Sequence, residues 1–285
     1  MAVLDHVSEP VLRLVIFAGT LALMAGLEAV SPQRRLRAGR VRRWTTNLVL
    51  AVTGSVTVRL LGALAGPLVA TGAAVVAARH GVGLFHQLDW SAPVVFTASL
   101  LALDFAIWLQ HVISHKVPLL WRLHRMHHAD IDIDVTTGIR FHPVEIALSM
   151  LYKVAWVLAL GAPVAAVVAF EVILNACALF NHANLALPAW LDRVLRAVIV
   201  TPDMHRVHHS IDPGEHDSNF GFNLSVWDRL FRTYLAAPAA GQHGMTVGLP
   251  AWQDEAPTGL AWCLTLPLRA AQIRVGTCPR ANNKN

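Results

Sequence analysis

The sequence is poor in charge and in cysteine. Only 14% of its 285 residues are charged, whereas about a quarter are charged in an ordinary soluble domain. Its three cysteines, Cys177, Cys263 and Cys278, are widely separated and form no CxxC pair. This excludes a disulfide framework and a cysteine-based metal or redox motif. The sequence also contains no CxxCH haem-attachment motif and no dinucleotide-binding glycine fingerprint.

Hydrophobic residues are abundant instead. They make up 55% of the chain, and the mean hydropathy is +0.48. The net charge of +5 does not indicate a nucleic-acid partner, because six arginines lie together in residues 31–43, directly after an apolar run. A membrane surface is the simpler partner for such a segment. We therefore predict an integral membrane protein with no nucleic-acid partner.

The apolar runs predict an all-α membrane bundle of about four to five hydrophobic segments. A run of about twenty apolar residues spans a bilayer core as a helix. We treat residues 1–285 as a single membrane domain in which residues 249–285 form a C-terminal loop and tail. The segments are residues 11–30, 47–78 with a break at 66–67, 91–110, 146–160 and 163–180.

The arginine-rich segment predicts the orientation. Positively charged loops stay on the cytoplasmic side, which places residues 31–43 there. Counting the later segments alternately outward and inward brings every histidine-rich motif to the same side. The expected location is a multi-pass protein of the inner or cell membrane, with a cytosolic histidine-rich cap that binds metal.

Three histidine motifs lie next to these segments. They read HxxxH, HxxHH and HxxHH, and spacings of three and four residues place side chains on one face of a helix. Neutral imidazole suits zinc, copper, iron and nickel. A single structural zinc needs four ligands and usually recruits cysteine, so two metal ions are the economical interpretation. The motifs comprise His111, His115, His124, His127, His128, His205, His208 and His209.

Other polar residues could support these ligands. His182 is a ninth candidate ligand, because it leaves the hydrophobic hairpin near the membrane depth of His111. His142 precedes a proline and an acid, which is typical of a helix start, so capping or support is expected rather than ligation. The remaining supporting candidates are Asp104, Asn181 and His216. The isolated His6, His80, His86 and His243 are expected to have no role.

Two other functions fit a membrane protein rich in histidine. A hydrolase with two zinc ions would use a metal-bound water. A metal-ion transporter would place its ligands near the membrane midplane, whereas these motifs lie in polar, arginine-bearing segments at the membrane edge.

The motifs HVISH, WRLHRMHH, FHPVE, NHAN, TPDMHRVHHS, DSNFG and WDRLFRTY occur in this order. In this order they resemble the sterol desaturase and fatty acid hydroxylase superfamily of membrane enzymes, over residues 91–248. The resemblance implies a catalytic core there, with two iron ions that activate dioxygen; zinc could replace iron in a purified preparation. It also implies a separate electron-donor protein and the hydroxylation or desaturation of a membrane lipid, either sterol-like or with a long acyl or alkyl chain. Carried over by position, the ligands are the eight motif histidines and His182. Arg232 stands where members commonly have glycine.

Overall fold

The structure is a computed structural model that describes residues 8–254 and 256–269, so His6, Cys278 and the polar end of the chain lie outside the described residues. Within them the chain is helical and forms no β-strand, only isolated bridges. This confirms the predicted all-α class. The helices are α1 (Glu9–Val30), α2 (Arg40–Leu64), α3 (Ala70–His80), α4 (Ala92–Lys116), α5 (Pro118–His128), α6 (Pro143–Leu160), α7 (Val164–Asn181), α8 (Ala189–Leu195), α9 (Pro202–His208), α10 (Pro213–His216), α11 (Val226–Leu230), α12 (Gly241–Gly244) and α13 (Leu260–Thr265). Short 3-10 helices lie at Gly66–Leu68, Leu84–Gln87, Val135–Ile139, Ala256–Thr258 and Leu266–Leu268.

Five of these helices, α1, α2, α4, α6 and α7, are long and apolar enough to cross a membrane, with 18 to 25 residues each. This confirms the predicted membrane bundle. The break predicted at residues 66–67 is also present, because a short 3-10 turn there separates α2 from α3. With 11 residues, α3 is about 16 Å long, which is about half of a bilayer core.

The hairpin of α6 and α7 turns at Gly161. This residue has a φ of 68°, a left-handed conformation that glycine adopts without strain. A β-carbon there would come within 2.6 Å of the His86 ring, so only glycine fits. Pro163 then directly precedes the first residue of α7. The predicted helix boundaries on both sides of this turn are confirmed.

One helix starts earlier than its apolar run. The sequence predicts the second membrane segment from residue 47, but α2 begins at Arg40, so the last arginines of the basic segment are helical. A hydropathy profile predicts the apolar, membrane-spanning part of a helix and not a polar extension beyond the bilayer. The first turns of α2 instead face the histidine-rich end of the protein.

A partly buried ion pair links α1 to the hairpin. Arg13 on α1 contacts Glu171 on α7 at 2.7 Å, and Lys153 on α6 contacts the same carboxylate at 2.7 Å. Charges within membrane helices are stable only when they pair or face the protein interior. These contacts therefore hold α1 against the other spans.

The predicted C-terminal loop contains packed helical turns. Cys263 of α13 and Leu266 are fully buried against Leu50 of α2 and Met126 of α5. The chain from residue 256 to residue 269 thus covers the histidine-bearing helix α5. Residues 270–285 lie outside the described residues.

A buried charge network fixes the chain that follows α5. Arg43, at the start of α2, is fully buried and binds both carboxylate oxygens of Asp130, at 2.8 and 2.9 Å. It also pairs with Asp134, which caps the 3-10 turn Val135–Ile139. Because Arg43 is an arginine, it can donate in this forked geometry. This network fastens the segment after His128 to the membrane bundle.

We expect Arg43→Met to unfold the cap. Removing one partner of a buried ion pair leaves uncompensated charge and costs about 3–5 kcal/mol. Thermal unfolding of the detergent-purified protein measures the loss. The matched control is Arg40→Met on the same helix, because Arg40 is exposed and lies over Trp44 without a buried ion pair; the control should change stability by less than about 1 kcal/mol. Equal unfolding temperatures for the two variants would contradict the role of the network.

Candidate metal centre

Four chain segments bring the candidate ligands to one end of the bundle. The last two turns of α4 carry the HxxxH motif, and α5 starts almost immediately after it with Pro118 at its first position. His182 caps the C-terminus of α7. The second HxxHH motif lies on α9 and ends one residue beyond it. Short helices with proline at their first turn and histidines in their last turn therefore supply most of the rings.

The nine histidines form two groups, in each of which the candidate nitrogen atoms all lie within 4.8 Å of one another. Eight of the nine side chains are buried, and His115 is partly buried. The groups adjoin, because the rings of His128 and His209 stack with their centroids 4.6 Å apart. Group one comprises His111, His115, His124, His128 and His208, and group two comprises His127, His182, His205 and His209.

Hydrogen bonds fix the tautomers in group one. Nδ1 of His111 lies 2.7 Å from the carbonyl oxygen of Phe220, and Nδ1 of His124 lies 2.7 Å from a carboxylate oxygen of Glu145. Both oxygens only accept, so each Nδ1 carries the proton and each Nε2 presents a lone pair. The Nε2 atoms of His111 and His124 face each other at 3.1 Å. Two lone pairs at this distance repel unless a cation lies beside them.

Group two shows the same arrangement. Nδ1 of His182 donates to the carbonyl oxygen of Ala178 at 2.7 Å, which leaves Nε2 unprotonated in the neutral ring. That atom lies 3.1 Å from Nε2 of His127 and 3.0 Å from Nε2 of His205. In this group, the Nε2 atoms of His127 and His205 therefore both face the lone pair of His182.

These residues fit a pair of metal ions. Metal–imidazole bonds of about 2.0–2.1 Å place neighbouring ligand nitrogens near the separations of 3.0 to 3.2 Å that occur in both groups. The Nε2 atoms of His208 and His209 are buried and have no hydrogen-bond partner. A bound cation would satisfy both atoms. The assignment of individual ligands remains a prediction.

Burial keeps these rings in the form that binds metal. Loss of water lowers the pKa of His182 to about 4, although the hydrogen bond to the carbonyl oxygen of Ala178 acts in the opposite direction. The pKa values of the histidines on α5 and α9 are also lowered well below the usual value, first by burial and then by adjacent imidazoles: this applies to His127, His128, His205, His208 and His209. A neutral imidazole is the protonation state that coordinates metal.

One loop supports two of the rings from behind. In this support loop, residues 218–222, the carbonyl oxygen of Ser218 accepts from Nδ1 of His208 at 2.7 Å, as that of Phe220 does from His111. Asp228 accepts from the backbone N–H of Phe220 at 2.8 Å and from that of the next residue at 2.8 Å. The carboxylate thus holds the loop in the shape that orients the rings.

Sequence reasoning missed the carboxylate that binds a candidate ligand directly. The sequence predicts Glu145 only as the acid of a helix start, while Asp104 is a supporting candidate that either orients an imidazole or is a buried acid paired with an arginine. In the structure, Asp104 accepts from the indole N–H of Trp227 at 2.8 Å and from Leu224 N at 3.4 Å. Asp104 lies about two helical turns from His111 and faces the segment after the support loop, so it positions that segment. The sequence feature that could have predicted this contact is the position of Glu145 in the first turn of α6, the helix that follows the histidines of α5.

The other supporting candidates take three different places. Asn181 donates to the carbonyl oxygen of Phe222 at 2.9 Å and so holds the end of the support loop. His142 caps α6, with Nδ1 accepting from Val144 N at 3.2 Å, which confirms the capping prediction. His216 lies outside both groups, with its ring 4.5 Å from that of His128 and 4.8 Å from that of His115.

We expect Glu145→Ala to weaken metal binding in group one by about 10- to 100-fold, the usual effect of losing a carboxylate behind a ligand imidazole. Titration against a chelator of known affinity measures this change. Asp104→Asn is the control, because it keeps an acceptor for Trp227 and residue 104 belongs to neither histidine group; its metal affinity should match the parent. A weaker metal affinity in the Asp104 variant alone would show that Asp104, rather than Glu145, supports the ligand imidazoles.

Comparison with known proteins agrees with this geometry. Residues 96–233 match the fatty acid hydroxylase family. The chain is 29% identical to the alkylglycerol monooxygenase of Xenopus tropicalis over 56% of its own length and 35% of that protein. It is 25% identical to the ornithine lipid hydroxylase of Rhizobium tropici over 79% of its own length and 67% of that protein. It is 27% identical to human alkylglycerol monooxygenase over 56% of its length and 35% of that protein.

The chain therefore spans about a third of the length of the alkylglycerol monooxygenases that it matches. No solved structure matches it. The matched segment begins on α4 and ends after α11, so it contains all nine candidate ligands, Glu145 and the support loop. On this basis, residues 96–233 form a fatty acid hydroxylase segment, and the resemblance of the chain to the sterol desaturase and fatty acid hydroxylase superfamily is confirmed.

Proposed function

We propose that this protein is a membrane oxygenase that uses two iron ions and dioxygen to hydroxylate a lipid. The observation that carries the proposal is the pair of adjoining histidine groups at one end of a membrane bundle, with lone pairs directed inward. The family match and relatives named as a monooxygenase and a hydroxylase support the same reaction class.

The reaction has a defined balance. A lipid C–H bond, one dioxygen molecule, two electrons and two protons give an alcohol and one water. When bound, the metal ions supply the redox chemistry that reduces dioxygen. The sequence contains no haem-attachment or dinucleotide motif, so we assign the two electrons to a separate donor protein.

The side chains of this protein hold and enclose the metals. Nine neutral imidazoles add no charge, and Glu145 and the support loop fix the orientation of three rings. Phe141 stacks on His127 at 4.6 Å, and Phe222 lies 4.9 Å from His111 and 5.9 Å from His205. These two aromatic rings join the apolar core of α4, α6 and α7, so they limit the access of water to the metals from the membrane side.

The substrate is best assigned to a lipid with a long acyl or alkyl chain. The relatives are named for alkylglycerol and for ornithine lipid, and both names describe chain lipids rather than sterols. Hydroxylation is favoured over desaturation because these relatives are named as a monooxygenase and a hydroxylase. A catalytic core within residues 91–248 fits the family match.

We also propose that the histidine end faces the cytoplasm. The arginine-rich segment lies at this end, because the backbone N–H groups of Arg37 and Ala38 donate to Asp132, at 2.8 Å each. A basic segment at the same end as the histidines supports a cytoplasmic cap. The ends of the spans, rather than their middles, carry the rings, which does not fit a transport pathway.

The first test is the metal content of protein purified from iron-supplemented cells. The parent should hold about two irons per chain, as expected for two separate donor groups. His208→Ala in group one and His127→Ala in group two should each lose metal. His243→Ala is the matched control, because His243 is exposed and belongs to neither group, and it should retain the full content. Two zinc ions that iron does not replace would favour the hydrolase, and metal content unaffected by both ligand variants would contradict the centre.

The second test follows the oxygen atom. With dioxygen labelled by oxygen-18, a chemical or protein reductant and an alkylglycerol or ornithine lipid, the product should contain one labelled oxygen per turnover. Mass spectrometry of the extracted lipid measures it, and labelled water serves as the control. Label from water rather than from dioxygen would identify hydrolysis and refute the oxygenase.

A further inference from the structure

A cavity opens beside group one, between α4, α5 and α6. Its volume is about 120 Å³, and most of its wall is apolar. This is room for several water molecules or for a short length of a lipid. Its polar lining residues include Gln110, Glu145, Ser149 and Tyr152, and its apolar ones include Leu148.

Exposed apolar side chains lie beside the cavity on α6. Val144, which precedes Glu145, is 50% exposed, and Leu148, which lines the cavity, is 43% exposed. The α6 helix is long and apolar enough to cross a membrane, and the bilayer covers exposed apolar side chains on such a helix. This side of the cavity therefore lies next to lipid.

Polar groups line one wall of the cavity. Glu145, Ser149 and Tyr152 follow each other at helical spacing on α6, so they share one face of this helix. Ser149 donates to Gln110 at 3.2 Å, and Tyr152 donates to a carbonyl oxygen of α4 at 3.0 Å. Polar side chains in a membrane helix are costly and mark sites of function.

One acceptor in this wall remains free. Oε1 of Glu145 accepts from His124 at 2.7 Å, whereas Oε2 is buried and has no hydrogen-bond partner. A buried oxygen without a donor costs about 1–3 kcal/mol. A ligand with a hydroxyl or ammonium group would satisfy it, and a carboxylate would repel a phosphate.

We propose that this cavity holds the polar end of the lipid substrate. The head group is uncharged or cationic and donates hydrogen bonds to Oε2 of Glu145 and to the Gln110 and Ser149 pair, while its chain follows α6 into the bilayer. This inference rests on the proposed oxygenase function and specifies its substrate class. It also makes Glu145 a shared contact of the head group and of His124.

The test uses the metal-loaded protein in lipid nanodiscs and a single-chain lipid with a diol head and a photoactivatable diazirine. Mass spectrometry locates the labelled residues, and turnover of the same lipid without the diazirine gives KM and kcat. We expect labelling on residues 110–123 and 145–152. A lipid of equal chain length with a phosphate head should compete weakly.

Ser149→Trp fills the cavity without removing a histidine or Glu145. It should lower labelling and raise KM by about tenfold, a change worth about 1.4 kcal/mol, and retain both metals. Gln110→Leu removes a polar contact with little change of volume and should raise KM in the same direction. The matched control is Leu151→Trp, which places the same ring on α6 at an exposed position outside the lining, and it should behave as the parent.

The outcomes separate this inference from the oxygenase proposal. Unchanged labelling and an unchanged KM in Ser149→Trp would overturn the inference. Loss of labelling with an unchanged KM would also overturn it, because the lipid bound in the cavity would then not be the substrate. A metal-loaded parent that is labelled in the cavity but oxidises no lipid would contradict the oxygenase function itself, and with it the substrate assignment. Stronger binding of the phosphate lipid would refute the proposed head-group chemistry.

Discussion

The structure depends on a cluster of nine imidazoles, eight of them buried, in which unprotonated nitrogens of neighbouring rings face each other. His111 and His124 face each other through unprotonated nitrogens at 3.1 Å, and the nitrogen of His182 faces two more rings. Without a cation this arrangement is repulsive, and each buried nitrogen lacks a donor. Metal binding is therefore part of what stabilises this end of the protein, and the same contacts that orient the ligands also decide whether the cap is folded.

The surroundings of the centre are arranged to impose one tautomer. Three backbone carbonyls and one carboxylate receive the outer N–H groups of four rings, and each of these acceptors is held in turn. Asp228 holds the support loop, and Glu145 lies on a helix capped by His142. On the other side, the pairing of Arg43 with Asp130 and Asp134 ties the chain after α5 to α2. The membrane helices form the rigid frame of the protein, and these polar contacts hold the histidine rings in fixed positions on it.

The sequence predicts the spans and the histidine motifs because both leave a periodic side-chain signal. Helix ends near Gly161 and the short α3 follow from glycine, proline and hydropathy. The groups that accept hydrogen bonds from the histidines are harder to predict. The acceptors at Ala178, Ser218 and Phe220 are backbone carbonyls, which any residue type provides. Glu145 resembles any acid in a first helical turn. Asp104 contacts Trp227 and the backbone of Leu224, and an acid two turns from a histidine shares the face of that histidine only roughly. The departure at Arg232 affects the backbone, since this residue has a φ of 61°, where glycine is free of strain.

The shortness of α5 and α9 determines when the centre can assemble. With 11 and 7 residues, neither helix is long enough to persist alone in water. Group two also needs rings from residue 127 to residue 209, so it forms only after both arms of the hairpin have been synthesised and inserted. We therefore expect biogenesis in two stages, insertion of the spans and then closure of the cap around metal. A cell short of metal would accumulate an inserted protein whose cap remains open to proteases.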